Sequence, residues 1–168
     1  NTVESIGDYA FCECKNLESV VIPNSVTEIK HHAFWYCENL ESVKLGNNLK
    51  KIAREVFNGC YALKEIELPY GLKEIGGRAF QFTSLKHIEI PETVKDIHSE
   101  AFCLCTNLES VIIPDGVENI GRSVFKDCQS LKSISIPETV KLLKAGVFDG
   151  CINLETIRIN NPELLNEH

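Results

Sequence analysis

Phenylalanine recurs along this chain at Phe11, Phe34, Phe57, Phe80, Phe102, Phe125 and Phe148, in steps of 23, 23, 23, 22, 23 and 23 residues. A fixed period in this range marks a chain built from stacked, equivalent coils, and it constrains the fold before any single element is considered. The other apolar residues keep the same clock. Ala or Val precedes each Phe (Ala10, Ala33, Val56, Ala79, Ala101, Val124, Val147), and Cys stands three residues after it in six turns of seven. Leu follows at Leu17, Leu40, Leu63, Leu85, Leu108, Leu131 and Leu154, and three residues on comes a β-branched residue, from Val20 to Ile157. Ile or Leu lies two further along, and Pro comes next in five turns (Pro23, Pro69, Pro91, Pro114, Pro137). A second apolar pair closes each turn, from Val26 with Ile29 to Val140 with Leu143.

The stretch from Leu to Pro alternates and is β-branched, so it reads as a strand ended by a residue that cannot donate to a ladder. The segment after Pro is a second short extended stretch. The run through Ala-Phe towards Cys is too brief for a full helix and is expected to make one 3₁₀ or α turn. The apolar positions of a single turn cannot close a core, but stacking each turn on the next buries them in one column. Seven rungs at the ~4.8 Å strand spacing give a slab on the order of 30 Å long. The expected fold is thus a mainly-β to α/β repeat protein, a right-handed solenoid. It carries a parallel β-sheet on one face and short strands or 3₁₀/α turns on the other, with residues 1–168 forming a single domain. The chain has no Met and Asn1 to Ile6 matches the middle of a repeat, so it is expected to be a piece of a longer protein.

Composition narrows the function classes. With 43% hydrophobic and 24% charged residues the chain is of ordinary globular make-up, and its net charge of -7 gives no support for nucleic acid or anionic lipid as partner. No apolar stretch approaches the ~20 residues of a membrane-spanning helix, so no direct membrane insertion is expected. Eight cysteines would suggest disulfides or metal. Their slot argues otherwise: Cys14, Cys37, Cys60, Cys105, Cys128 and Cys151 stack above one another as three, a gap, then three. Parallel side chains keep their Cβ atoms near ~4.8 Å, beyond the usual ~3.5–4.5 Å of a bridge, so unpaired core thiols are expected, all eight shielded until unfolding. The Cys-x-Cys pairs that Cys12 and Cys103 complete send neighbours in diverging directions, which does not suit a metal cage. No metal, cofactor or catalytic residue is expected, since no nucleophile elbow, phosphate loop or dinucleotide fingerprint occurs. His31 and His32 share slots with Arg54 and Glu55 and are expected to be solvated.

The rhythm Leu-x-x-Ile-x-Ile-Pro-x-x-Val-x-x-Ile-x-x-x-Ala-Phe-x-x-Cys, running over residues 3 to 159, resembles the BspA-like, or treponemal-type, leucine-rich repeat. The resemblance implies a leucine-rich-repeat solenoid in which Leu17 and its equivalents open the main strand while the Ala-Phe pair packs the opposite side. It also implies a secreted or cell-surface bacterial protein, adhesin-like, that binds host or other cell-surface proteins. Two departures qualify the match. Turn four is one residue short, with Phe82 and Thr83 where Cys is expected, so a local offset that bends the stack is anticipated there. The last turn replaces Pro with Asn160.

Alternation along the Leu-to-Pro strand points the second and fourth residues after each Leu outward. Those rows read Ser19, Ser42, Glu65, His87, Ser110, Ser133, Thr156 and Val21, Lys44, Glu67, Glu89, Ile112, Ser135, Arg158. Lys44, Glu65, Glu67, His87, Glu89, Ile112 and Arg158, together with Trp35 and Tyr36 in the variable slots after Phe34, form the candidate protein-binding face, because exposed aromatics concentrate in binding hot spots; for Trp35 and Tyr36, packing against a neighbouring turn is the equal alternative. The expected function is a non-catalytic protein-interaction module; the alternative is a structural spacer or stalk that projects another domain.

Overall fold

The computed structural model describes residues 2–165 and shows a parallel β-solenoid of about seven turns with almost no helix. Its continuous sheet comes from the second apolar pair of each turn. The strands Ser5–Ile6, Glu28–Ile29, Lys51–Ile52, Glu74–Ile75, Asp96–Ile97, Asn119–Ile120 and Leu142–Leu143 lie side by side in chain order as one seven-stranded parallel sheet. Residues of the same slot are register partners, as in Ile29 with Ile52 and Ile75 with Ile97.

The Leu-to-Pro segments, expected to carry the main sheet, form only three separate ladders. Ser19–Val21 pairs with Ser42–Lys44, His87–Glu89 with Ser110–Ile112, and Ser133–Ile136 with Thr156–Ile159. Proline, which contributes no N–H to a ladder, does not decide where the ladders break: Pro23, Pro91, Pro114 and Pro137 follow segments that pair, and Pro69 follows one that does not. The second apolar pair repeats without a break.

The arc around each Phe is not the expected 3₁₀ or α turn. Residues two before and two after the Phe adopt left-handed backbone in every turn, from Tyr9 (φ 57) and Glu13 (φ 55) to Gly146 (φ 70) and Gly150 (φ 73). This alternation aims every second N–H at the next turn: Tyr9 N–H donates to the His31 carbonyl at 3.1 Å, Phe11 to Ala33 at 2.8 Å and Glu13 to Trp35 at 2.7 Å. The N–H groups between them close tight local turns, Cys12 to the Tyr9 carbonyl at 3.1 Å and Cys14 to Phe11 at 3.2 Å. Left-handed geometry costs an L-residue about 1–2 kcal/mol. The pattern persists because it gives each buried peptide group a partner.

Inside the coil the seven Phe rings form one column. Successive centroids lie 5.2 to 6.0 Å apart with planes within 16° of parallel. Ala33, Leu40, Leu49 and Ile52 of the interior turns are fully shielded beside it. All eight cysteines are free. The slot is more than a small apolar filler, for its thiols from turn two onward donate to the Phe carbonyl of the turn before: Cys37 to Phe11 at 3.0 Å, Cys60 to Phe34 at 3.3 Å, Cys105 to Phe80 at 3.1 Å, Cys128 to Phe102 at 3.2 Å and Cys151 to Phe125 at 3.0 Å. Burial pushes the Cys37 thiol up to about 11 and that of Cys60 higher still. One expectation fails here. Cys14 is exposed and Cys12 half-buried, and among the described residues no Phe arc of a preceding turn covers them.

Turn four absorbs its missing residue without a bend in the register. Thr83, not a gap, occupies the Cys slot; its Oγ1 donates to the Phe80 carbonyl at 2.9 Å and lies 3.3 Å from Cys105 Sγ. The deletion falls between Thr83 and Leu85, in a stretch that belongs to no strand. Phe80 and Phe102 remain stacked at 5.3 Å and 5°, and Ile75 still faces Ile97. After the last strand a 3₁₀ turn, Pro162–Leu165, brings Leu164 against the core.

Three outcomes follow from this packing. Phe57→Ala, at a ring with 0% exposure, should lower unfolding free energy by about 3–5 kcal/mol in a denaturant titration, and Phe11→Ala, at 41% exposure, by much less. Equal losses would show that the column is not what holds the turns. Gly59→Ala should destabilise by about 1–2 kcal/mol or more, since φ is +77 and the new Cβ would sit 2.9 Å from the Tyr36 ring. A thiol-specific chromogenic reagent should modify Cys14 quickly in the native protein, Cys12 more slowly, and reach all eight cysteines only after denaturation.

Candidate interaction surface

Alternation on the Leu-to-Pro segments is preserved even where ladders are missing. Val43, Ile66, Ile88, Val111 and Ile134 point into the core, and the second and fourth residues after each Leu face solvent. Lys44, Glu65, Glu67, His87, Glu89, Ile112 and Arg158 are all exposed. Strand register sets their neighbours. Val21 lies beside Lys44, Glu89 beside Ile112 and Ser135 beside Arg158. His87 and Ser110 are also partners, with Nδ1 and Oγ 2.7 Å apart. The middle of the face is acidic, through Glu65, Glu67 and Glu89, and apolar side chains flank it at Val21 (72% exposed) and Ile112 (59% exposed).

Trp35 and Tyr36 do not join that surface. Both are half-buried in a chain of rings that crosses the first four turns. Trp35 meets Tyr36 edge-on at 4.5 Å, Tyr36 meets Tyr61 at 5.9 Å, and Tyr61 meets Phe82 at 6.3 Å. Their apolar bodies are spent on one another, the packing alternative rather than that of free aromatic anchors. Tyr61 and Phe82 belong to later turns, so they reach this chain of rings only after stacking.

His32 is also misplaced by the expectation of solvated histidines. His31 is exposed, whereas His32 is half-buried, stacked on Tyr9 at 4.6 Å and 7°. Its Nε2 lies 3.3 Å from Glu55 Oε2. Glu55 is a buried hub that no single turn would announce. Arg54 holds it at 2.9 Å and Arg78 at 3.6 Å, while Arg78 forks onto Glu100 at 3.0 and 3.1 Å. Burial alone would raise the Glu55 pKa, but the Arg54 hydrogen bond and the His32, Arg54 and Arg78 charges outweigh it and hold the carboxyl below its ordinary value. Next to this hub, Glu74 accepts from Lys51 at 2.7 Å and His98 at 2.6 Å. Gly76 and Gly77, without side chains, leave a groove between Arg54 and Ser99 there. Its acids and bases neutralise each other across turns, so the groove reads as an inter-turn clamp. Among the described residues no three His, Cys, Asp or Glu side chains converge to hold a metal ion, and no helix is long and apolar enough to cross a membrane.

Comparison with known proteins follows the same lines. The model of the BspA-type leucine-rich repeat region matches residues 1–109 and 95–166 in six copies. A leucine-rich repeat protein from Bacteroides ovatus is 42% identical and superposes with a TM-score of 0.90, covering 93% of this chain and 41% of that one. This chain therefore spans about two fifths of that protein's length. The leucine-rich repeat protein of T. pallidum is 36% identical with a TM-score of 0.87, covering 90% of this chain and 72% of its own. A leucine-rich repeat protein from Eubacterium ventriosum, 22% identical with a TM-score of 0.56, shares the fold. No curated protein matches the chain. From the seven-turn parallel solenoid, the Phe column and the repeat model that spans both halves, the chain belongs to the BspA-type leucine-rich-repeat family.

Proposed function

We propose that this chain is a non-catalytic protein-interaction module of a secreted or cell-surface bacterial protein, adhesin-like, that engages host or other cell-surface proteins through its exposed Leu-to-Pro face. The observation that carries the reading is the division of labour among side chains. Hydrogen bonding, thiols, rings and ion pairs of the other flanks are committed to joining turns, whereas the outward side chains of this face are exposed and, the His87–Ser110 contact apart, make no side-chain hydrogen bond or ion pair among the described residues. That leaves a row of small hydroxyls, a central acidic patch and exposed Val21 and Ile112. Interfaces commonly combine polar groups with a few exposed apolar anchors in this way. Burial of Cys37, Cys60, Cys103, Cys105 and Cys128 suits an extracellular setting, because shielding from solvent removes most of their tendency to oxidise.

The test compares surface variants. The intact chain, fluorescently labelled, should bind saturably to intact host epithelial cells or to members of a panel of purified extracellular matrix proteins. A variant with Ser42→Arg, Ser110→Arg and Ser133→Arg on the face should lose about tenfold or more in affinity, as blocked interface centres do. A Glu28→Arg control on the seven-stranded sheet should bind as the parent does. Absence of saturable binding, or equal loss in both variants, would contradict the proposal, and unaltered binding by the face variant would point instead to a spacer.

A further inference from the structure

The exposed face comes apart at turn three. Ladders join turns one and two, four and five, and six and seven, but the segment 65–67 pairs with neither neighbour. Among the described residues, the backbone N–H and C=O groups of Glu65, Ile66, Glu67 and Leu68 have no hydrogen-bond partner. Along the rest of this face such groups join neighbouring turns in three ladders, so this run of four residues interrupts the repeat and leaves main-chain donors and acceptors open to solvent or a ligand.

The side chains around the opening are equally uncommitted. Glu38, Glu55, Glu74, Glu100 and Glu118 each hold a cation. Glu65, Glu67 and Glu89 hold none and accept no hydrogen bond. Glu67 and Glu89 occupy one slot in successive turns, a like-charge pair that works against strand pairing at this step. The two carboxylates border one groove with Leu68, Tyr70 and Pro91. At about 370 Å³ it sits at the low end of ligand sites, with room for one or two side chains. Tyr70, 73% exposed, stands at its rim.

We propose that this groove takes an arginine side chain of an extended peptide segment of the partner. The inference rests on the interaction-module reading and names the chemistry of one point on that face. A guanidinium presents five donors in a planar fork, enough to bridge the Glu67 and Glu89 carboxylates and relieve their repulsion. Its flat face stacks on an exposed tyrosine, and its remaining donors meet the open carbonyls of turn three. An ammonium lacks the fork and the stacking plane. A divalent cation needs six or more oxygen ligands and makes no use of Tyr70 or Pro91.

Fluorescence anisotropy with a labelled octapeptide of alternating Arg and Val tests the assignment. The same peptide with citrulline in place of Arg keeps shape and size and removes the charge. The arginine peptide should bind saturably, and the citrulline peptide about tenfold more weakly or worse. The E67Q/E89Q double variant should likewise bind the arginine peptide about tenfold more weakly, and Tyr70→Ala about threefold. Glu155→Gln, remote from turn three, should leave it unchanged. Because the exchanged acids are exposed and mutually repulsive, the double variant should fold with an unlowered melting temperature, so loss of binding is not loss of structure. No saturable binding, equal binding of the citrulline peptide, or unaltered affinity in the double variant overturns the proposal. If those outcomes appear while the face variant with three arginines still loses its cell-surface target, the arginine site fails and the interaction module stands.

Discussion

Stacking of one turn on the next is the interaction from which every other feature derives. Each 22- or 23-residue coil is too small to close a core alone, and its rings, thiols and sheet strands find their partners in the neighbouring coil. Phe rings cover Phe rings, thiols donate to the preceding turn's Phe carbonyls, and alternate N–H groups of the Phe arc reach the next turn. The left-handed residues are the conformational cost of that arrangement, since only alternating backbone handedness aims every second N–H along the stack. Strain at Glu55 or Arg78 is tolerable because packing on both sides fixes the geometry.

Stacking also sorts the surface by function. The seven-stranded sheet and the Phe arc carry unbroken hydrogen bonding, and the aromatic chain and the Glu55 hub tie the first five turns at their flanks. The Leu-to-Pro face is the least committed: three short ladders, a row of exposed side chains, and an opening at turn three. In a solenoid such a face tolerates variation, because changing an outward residue leaves the column untouched. Binding surfaces are drawn from parts of this kind.

Much of this was legible in the sequence because repetition multiplies a weak signal. A single Ala-Phe-x-x-Cys says little, whereas the same pair from Ala10-Phe11 to Val147-Phe148 fixes the stack, the inward positions and the thiol slot. Three things were not legible, each for a physical reason. Two-residue strands such as Lys51–Ile52 are too short to show alternation, so the continuous sheet was assigned to the longer Leu-to-Pro segment. Left-handed positions filled by Tyr9, His32 or Leu104 carry no residue signature; glycine marks only Gly59, Gly146 and Gly150. The burial of His32 and Tyr36 depends on Tyr9 and Tyr61 of neighbouring turns, in slots whose residues vary from turn to turn and meet only once the chain is coiled.

Native-state hydrogen exchange, resolved by residue, tests the central claim most directly. If stacking supplies the stability, the amides of Phe34, Phe57, Phe80 and Phe102 should exchange only through global unfolding. Protection should decline towards turns one and seven, and the amides of Glu65 to Leu68 should exchange fast within an otherwise protected stack. Rapid exchange at Phe57 and Phe80, or uniform protection that includes Glu65 to Leu68, would contradict the account.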